Sequence, residues 1–267
     1  MTTASRGGPL LTLHGVLVLA VLCLPIAVVI PMSFSSASSL EFPPPGLSLR
    51  WYESFFGDAR WVAALANSAL VALASSTIAL LLGAIAAYGL VRGSFRGRTL
   101  IEGSFIAPLV VPSVIVAVAL YIAFARVGLL GTMAGLILGH TVLGVPYVVL
   151  VMSVAIRSFD PRIEQVACSL GASTTTMFRR VLLPNLLPSV FAAWIFAFIT
   201  SFDEVIVTLF IAGRHDTVPK RMFNELVLQV NPTITAIATL LIVVSAVAIS
   251  LILWLLRRGG VRMQLLG

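Results

Sequence analysis

The chain has 267 residues, of which 59% are hydrophobic and 10% are charged, and its formal net charge is +7 at pH 7. Soluble domains carry roughly a quarter charged residues, and a water-soluble fold of this size could not hide so much apolar surface. The composition therefore excludes a soluble globular protein and indicates an integral membrane protein.

Six stretches are apolar over the roughly 20 residues that a helix needs to cross a hydrocarbon core. They lack alternating strand patterns, and backbone groups in lipid must be bonded within the segment, so we predict an all-α membrane protein with six transmembrane helices. The predicted spans are residues 10–32, 63–91, 103–124, 132–156, 188–211 and 234–256. We assign residues 1–267 to a single transmembrane domain.

The first span follows Arg6 and differs from a signal peptide in two ways. Its apolar run exceeds the usual 7–15 residues of such peptides, and no small-residue cleavage site follows at residues 31–36. We therefore expect a retained helix.

Prolines, closely spaced glycines and one histidine interrupt the apolar spans. The prolines allow two interpretations, bent helices that line a path or tolerated kinks. A repeat of glycines every four residues allows close helix contact, either within the chain or between subunits. We expect His140 to be neutral and hydrogen-bonded rather than a metal ligand or proton relay. The prolines are Pro25, Pro108, Pro112 and Pro146, and the glycines are Gly131, Gly135 and Gly139.

Basic residues cluster in alternate connections, which predicts the orientation of the chain. The clusters at residues 92–98, 157–180 and 257–262, together with Arg6, hold 11 of the 17 lysine and arginine residues. The remaining cations are mixed with acidic residues. By the positive-inside rule, both termini and the 157–187 connection are cytoplasmic. The positive charge thus needs no nucleic-acid partner.

The 157–187 connection carries signals for two short helices. Asp160 and Pro161 suit an N-cap and a first helical position, Gly171 suits a left-handed end, and Ser173 suits a second N-cap. We expect the second helix to end at Pro184. The predicted helices cover residues 162–170 and 174–183, with Ile163, Val166, Leu170 and Phe178 as apolar contacts. From this pattern alone, the pair could also lie against lipid headgroups.

The fifth span contains two acids, Asp203 and Glu204. Counted from Pro188, Asp203 lies about 22 Å along a helix, where a charge is costly unless it faces protein or water. We predict a polar arc beside aromatic rings that suits an alkylammonium chain, and rank the two acids equally. The alternative is an acid pair that anchors the helix at the outer interface. The other polar residues of the arc are Thr200, Ser201 and Thr208, and the aromatic rings beside it are Trp194 and Phe198.

The sequence offers no catalytic or metal-binding constellation. Cys23 and Cys168 fit neither zinc-ligand spacings nor a nucleophile elbow. The single lysine, Lys220, lies in no glycine-rich loop, which excludes a phosphate-binding P-loop. We therefore expect no cofactor on this chain, and ATP, if used, must bind another subunit.

Part of the 157–187 connection resembles the cytoplasmic EAA loop in the membrane subunits of binding-protein-dependent ABC importers. That pattern is E-A-A, three residues, G, nine residues and I-x-L-P; here "QVA" at residues 165–167, Gly171 and "VLLP" at 181–184 have these spacings. Glutamine stands where the pattern has glutamate, and Glu164 offers a carboxylate one position earlier. The ATPase-coupling residues implied by the resemblance are Glu164, Gln165, Ala167, Gly171, Ser173, Leu183 and Pro184.

Longer stretches resemble spermidine/putrescine-type permeases, including "LSLRWYESFF", "APLVVPSVIVAVAL", "SFDEVIVTLFIAG" and "NPTITAIATLLIVVSAV". The resemblance implies a non-enzymatic permease subunit of an ATP-driven importer in a bacterial inner membrane. Its expected partners are two ATPase copies that hold ATP and Mg²⁺, a second similar permease, an extracytoplasmic binding protein and membrane lipid.

The implied substrate is a small cationic solute, with a polyamine as the leading choice. Another organic amine, an opine or an aminophosphonate is the alternative within this class. An ion-coupled secondary transporter is a second hypothesis, but the chain shows no inverted repeat. An intramembrane enzyme lacks its catalytic groups.

Overall fold

The computed structural model describes residues 9–228 and 232–258. Within these ranges the chain forms helices and one isolated antiparallel bridge between Ser35 and Leu47. The helices are α1 (Pro9–Ser33), α2 (Arg50–Gly57), α3 (Ala59–Arg92), α4 (Arg98–Val110), α5 (Ser113–Val127), α6 (Met133–Ser158), α7 (Pro161–Ser169), α8 (Thr174–Met177), α9 (Leu183–Phe202), α10 (Ile206–Ile211), α11 (Val218–Leu228) and α12 (Thr233–Arg258), with a π-helical segment at Phe178–Leu182 between α8 and α9. Arg6 and Arg262, which contribute to the predicted orientation, lie outside the described residues.

Five helices in the described ranges are long and apolar enough to cross a membrane, and the bent pair of α4 and α5 brings the number to six if it is one span. This confirms the predicted all-α membrane fold. The five are Leu10–Ser33, Ala59–Arg92, Met133–Ser158, Thr174–Phe202 and Thr233–Trp254.

The third predicted span is not one straight helix. Helices α4 and α5 meet at an angle of 107° across Val111 and Pro112. A residue before proline is pushed from helical to extended backbone, and Val111 has φ −75° and ψ 133°. The bent-helix interpretation therefore holds at Pro112, whereas Pro25 and Pro146 lie inside continuous helices.

The fifth predicted span has the wrong limits at both ends. Pro184 does not end a short helix, because α8, the π-helical segment and α9 form one run of 29 residues. In the π turn the Leu183 N–H donates to the Phe178 carbonyl, and this wider turn accommodates the adjacent proline, which has no backbone donor. At the other end the helix stops at Phe202, and α10 starts only at Ile206.

The described residues form two compact units. One comprises the residues up to Val62 and those from Asn224 to Val243. In this unit the Ser33 hydroxyl lies 2.8 Å from the Tyr52 hydroxyl, and the rings of Phe34 and Tyr52 are 5.3 Å apart. These contacts fix the end of α1 to α2.

The second unit comprises residues 63–223 and those from Val244 onward, and it contains the candidate sites. One buried cluster joins α3, α6 and α9 through Ala79, Val148 and Ala197, and another joins α5, α6 and α10 through Ala117, Leu136 and Val207. A Cβ atom at Gly139 would collide with the Ile211 side chain. At Gly139, therefore, the glycine repeat serves packing within the chain.

Candidate functional site

A pocket of about 350 Å³ lies where two helix breaks meet in the second unit. The α4–α5 break forms one wall, Leu143 and Tyr147 of α6 contribute, and Thr200 and Glu204 complete the lining. We call this cavity the Glu204 pocket. Its residues are Pro108, Leu109, Val110, Val111, Pro112, Ser113, Leu143, Tyr147, Thr200 and Glu204.

Glu204 lies in the break between α9 and α10, which comprises Asp203, Glu204 and Val205. Its Oε1 atom accepts a hydrogen bond of 2.8 Å from the backbone N–H of Val207 in the first turn of α10. The side chain is partly buried. The break thus holds a carboxylate at the pocket wall with one oxygen fixed by the backbone.

The predicted polar arc does not form a single face, because the helix that was to carry it ends at Phe202. Of its members, Thr200 and Glu204 line the pocket, whereas Asp203 is exposed and absent from the lining. Ser201 and Thr208 are buried. The structure therefore separates the two acids that the sequence ranked equally.

The predicted aromatic residues Trp194 and Phe198 are not among the residues that line the Glu204 pocket. The Trp194 Nε1–H donates to the Thr77 hydroxyl at 3.1 Å, and its ring stacks on Phe198 at 5.8 Å. Phe198 stacks in turn on Phe202 at 5.5 Å. Sequence reasoning missed Tyr147, whose proximity to Glu204 depends on tertiary packing.

His140 is 1% exposed and hydrogen-bonded through both ring nitrogens. Nδ1 lies 2.8 Å from the Ser201 hydroxyl, and Nε2 lies 2.9 Å from the Thr208 hydroxyl. The prediction of a hydrogen-bonded histidine is confirmed. Among the described residues, no group of three or more His, Cys, Asp or Glu side chains could hold a metal ion.

The local signals of the 157–187 connection produce the expected geometry. The Asp160 carboxylate accepts from the Arg162 N–H at 2.8 Å, Gly171 has a φ of +88°, and the Ser173 hydroxyl accepts from the Thr176 N–H at 3.2 Å. Helix α7 ends at Ser169. Two helices bent at Gly171 are therefore confirmed at their start and at the bend.

The same connection leaves apolar side chains on its surface. Leu170 is 83% exposed, and Ile163, Val166 and Phe178 are also exposed. Gln165 and Pro184 are exposed beside them, whereas Ala167 and Leu183 are partly buried. The expected apolar contacts are therefore only partly made within this chain, and most of that surface is free for another molecule.

Glu164 points inward instead of joining this surface. Its Oε1 atom lies 2.7 Å from an Arg92 guanidinium nitrogen, and the Arg92 Nε–H donates to it at 2.9 Å. Arg92 also donates to the Phe159 carbonyl at 2.9 Å. This largely buried ion pair, with two nitrogens of Arg92 on one carboxylate oxygen, joins α7 to the end of α3.

Comparison with known proteins identifies the family. The sequence model for "Binding-protein-dependent transport system inner membrane component" matches residues 79–260. The chain belongs to this family. It is therefore a permease subunit of an ABC importer, and the ATPase is a separate subunit.

Two curated relatives and one solved structure illustrate the similarity. The spermidine/putrescine transport system permease protein PotC of Haemophilus influenzae is 31% identical over 85% of this chain and 89% of the relative. The putrescine transport system permease protein PotI of Escherichia coli is 33% identical over 82% and 80%. The chain is also similar to a crystal structure of a bacterial ABC transporter that imports alginate. The match covers 95% of this chain and 99% of the chain in that structure, with 15% sequence identity and a TM-score of 0.70. That last likeness concerns the fold.

Proposed function

We propose that this subunit forms half of the translocation path for a small cationic organic solute, and that the solute is a polyamine. The observation that carries the proposal is the position of the Glu204 carboxylate at the wall of a pocket between two helix breaks. A carboxylate at membrane depth is costly unless it meets water, protein or a cation. One of its oxygens is held by Val207, and a charge-assisted bond to an ammonium group suits the other.

The printed names of the relatives support the polyamine assignment, since both PotC and PotI carry putrescine in their transport-system names. Thr200 and Tyr147 add hydroxyl groups to the pocket, and the walls contributed by α4 and Leu143 are apolar. This mixture suits an alkyl chain with ammonium ends. The alternative is another organic amine, an opine or an aminophosphonate, each of which also carries a cationic nitrogen.

The 157–187 connection is the proposed docking segment for the ATPase. Its exposed apolar residues and its bend at the left-handed Gly171 support this role. The further proposed coupling residues are Gln165, Ala167, Ser173, Leu183 and Pro184. Glu164 contributes by fixing α7 to Arg92 rather than by reaching the ATPase.

The proposed assembly contains two copies of the ATP-binding subunit, a second homologous permease and an extracytoplasmic binding protein. ATP and Mg²⁺ bind the ATPase, and this chain itself holds no cofactor. The family description, an inner membrane component, supports a location in the bacterial inner membrane. The arginine distribution supports cytoplasmic termini and a cytoplasmic docking segment.

Deletion and complementation test this function. We expect cells that lack this chain, with other polyamine uptake systems removed, to lose uptake of labelled spermidine or putrescine, and the plasmid-borne chain to restore it. Uptake should persist when the proton gradient is collapsed while ATP is maintained. If the plasmid-borne chain restores uptake of neither polyamine, the proposed substrate is wrong. Uptake that depends on the ion gradient alone would favour a secondary transporter.

A further inference from the structure

The α9–α10 break is bridged by a single buried side chain. His140 of α6 binds Ser201, before the break, through Nδ1 at 2.8 Å and Thr208, beyond it, through Nε2 at 2.9 Å. All three side chains are buried, with His140 1% exposed and Thr208 0% exposed. One imidazole ring thus fixes the distance between the two helical ends that flank Glu204.

The directions of these hydrogen bonds follow from the number of protons available. The Glu204 backbone carbonyl can only accept, so we assign the proton of the Thr208 hydroxyl to this contact of 3.0 Å. The Thr208 oxygen then accepts from His140, and Nε2 carries the proton. In a neutral imidazole Nδ1 is then the acceptor, and the Ser201 hydroxyl donates to it. Ser75 of α3 donates to Ser201 at 2.9 Å and completes the chain.

A second proton on the His140 ring would disturb this assignment of donors and acceptors. Ser201 would have to turn its proton toward Ser75, and the Ser75 hydroxyl would be left with the longer contact of 3.4 Å to the Ala72 carbonyl. The neutral Nε2–H form therefore satisfies every member at normal distances. A fully satisfied buried network fixes one arrangement of the backbone around it.

We propose that His140 is a positioning residue that holds the α9–α10 break in the shape that presents Glu204 to the pocket. The last bond of the chain ends on the Glu204 carbonyl, and the Glu204 carboxylate binds Val207 one residue before Thr208. A shift of Thr208 would therefore move the carboxylate relative to Thr200 and Tyr147. This role rests on the proposed substrate path through the Glu204 pocket.

A variant that removes both hydrogen bonds of the Thr208 hydroxyl, to His140 and to the Glu204 carbonyl, with little change in volume tests the proposal. Thr208→Val deletes the acceptor for His140. Thr141→Val is the matched control, since Thr141 is buried beside His140 in α6 but its hydroxyl donates to the Ile137 carbonyl of that helix. We expect Thr208→Val to lower spermidine uptake by the complete importer about tenfold, the effect of an unsatisfied buried donor, and Thr141→Val to leave it nearly unchanged.

Combination with Glu204→Gln separates positioning from general packing. If Thr208 and His140 act through Glu204, the double variant Glu204→Gln/Thr208→Val transports no worse than Glu204→Gln alone. If the uptake losses of the two single variants multiply in the double variant, the positioning role is wrong, while the proposed path stays intact. Normal transport by Glu204→Gln would contradict the path and, with it, this inference.

Nitrogen NMR gives a readout that does not depend on transport. We expect His140 to show the neutral Nε2–H tautomer in an importer in which only this chain carries ¹⁵N-labelled histidine and its other two histidines, His14 and His215, are replaced by glutamine. Thr208→Val should alter that signal, and Thr141→Val should not. An Nδ1–H tautomer or an imidazolium at neutral pH would overturn the bond directions and the bridge built on them.

Discussion

Glu204→Gln is expected to lower polyamine uptake by about tenfold to a hundredfold, the range associated with losing a charged partner of a buried hydrogen bond. Glutamine keeps the size of the side chain, and its amide oxygen can still accept from the Val207 N–H as the carboxylate does. The substitution therefore removes charge without removing the contact that fixes the side chain. Assembly of the importer and its basal ATP hydrolysis should stay nearly unchanged.

Asp203→Asn is the matched control for this experiment. Asp203 is the adjacent residue of the same break, but it is exposed and does not line the Glu204 pocket. Its variant should lose less uptake than Glu204→Gln, as measured with labelled spermidine at equal complex yield. If both single variants and the double variant transport normally, the acids only anchor the helix, and the substrate inference loses its residue-level support.

Gly171→Val is expected to leave the chain inserted in the membrane but to impair ATPase docking and uptake several-fold. Gly171 has a φ of +88°, a backbone conformation that costs a β-branched residue roughly 1–2 kcal/mol or more. A Cβ atom there meets nothing within 4 Å, so the expected defect comes from backbone conformation and not from a steric collision. The bend between α7 and α8 should therefore change while the rest of the chain stays folded.

Gly171→Asn provides the control, because asparagine tolerates the left-handed conformation better than valine does. Co-purification of the ATPase and uptake per complex are the two measurements. We expect the asparagine variant to retain most of both activities and the valine variant to lose both in parallel. Equal, normal activity of the two variants would remove the coupling role assigned to the bend.

Local sequence signals were sufficient where the structure depends on neighbouring residues. Asp160, Pro161, Gly171 and Ser173 each act through their own or adjacent backbone groups, and each has the predicted geometry. The apolar runs likewise predicted the membrane helices, because lipid demands a helix of a given length.

The break in the fifth span could not be read from the same signals. Residues 203–205 contain neither proline nor glycine, and the Glu204 carboxylate accepts from the Val207 N–H at the start of the next helix. Likewise, a π turn before Pro184 allows the helix to continue through a residue that ordinarily limits one. The helix thus stops where its residues favour continuation, and it continues where proline disfavours it.

The inward turn of Glu164 and the bridge made by His140 depend on residues far apart in sequence. Arg92 lies 72 positions before Glu164, and Thr208 lies 68 positions after His140. These pairs join α3 to α7 and α6 to α10, so they form only when those helices pack together. The sequence therefore identified the polar residues but not their partners.

Reconstitution of the complete importer in liposomes most directly tests whether this subunit serves ATP-driven polyamine import. The preparation would contain this chain, its partner permease, the ATPase and the binding protein, with labelled spermidine and the binding protein outside and ATP inside. We predict accumulation against a gradient that requires ATP and the binding protein and is strongly reduced by Glu204→Gln. Accumulation that proceeds without ATP, or an active importer that moves other solutes but neither spermidine nor putrescine, would contradict this function.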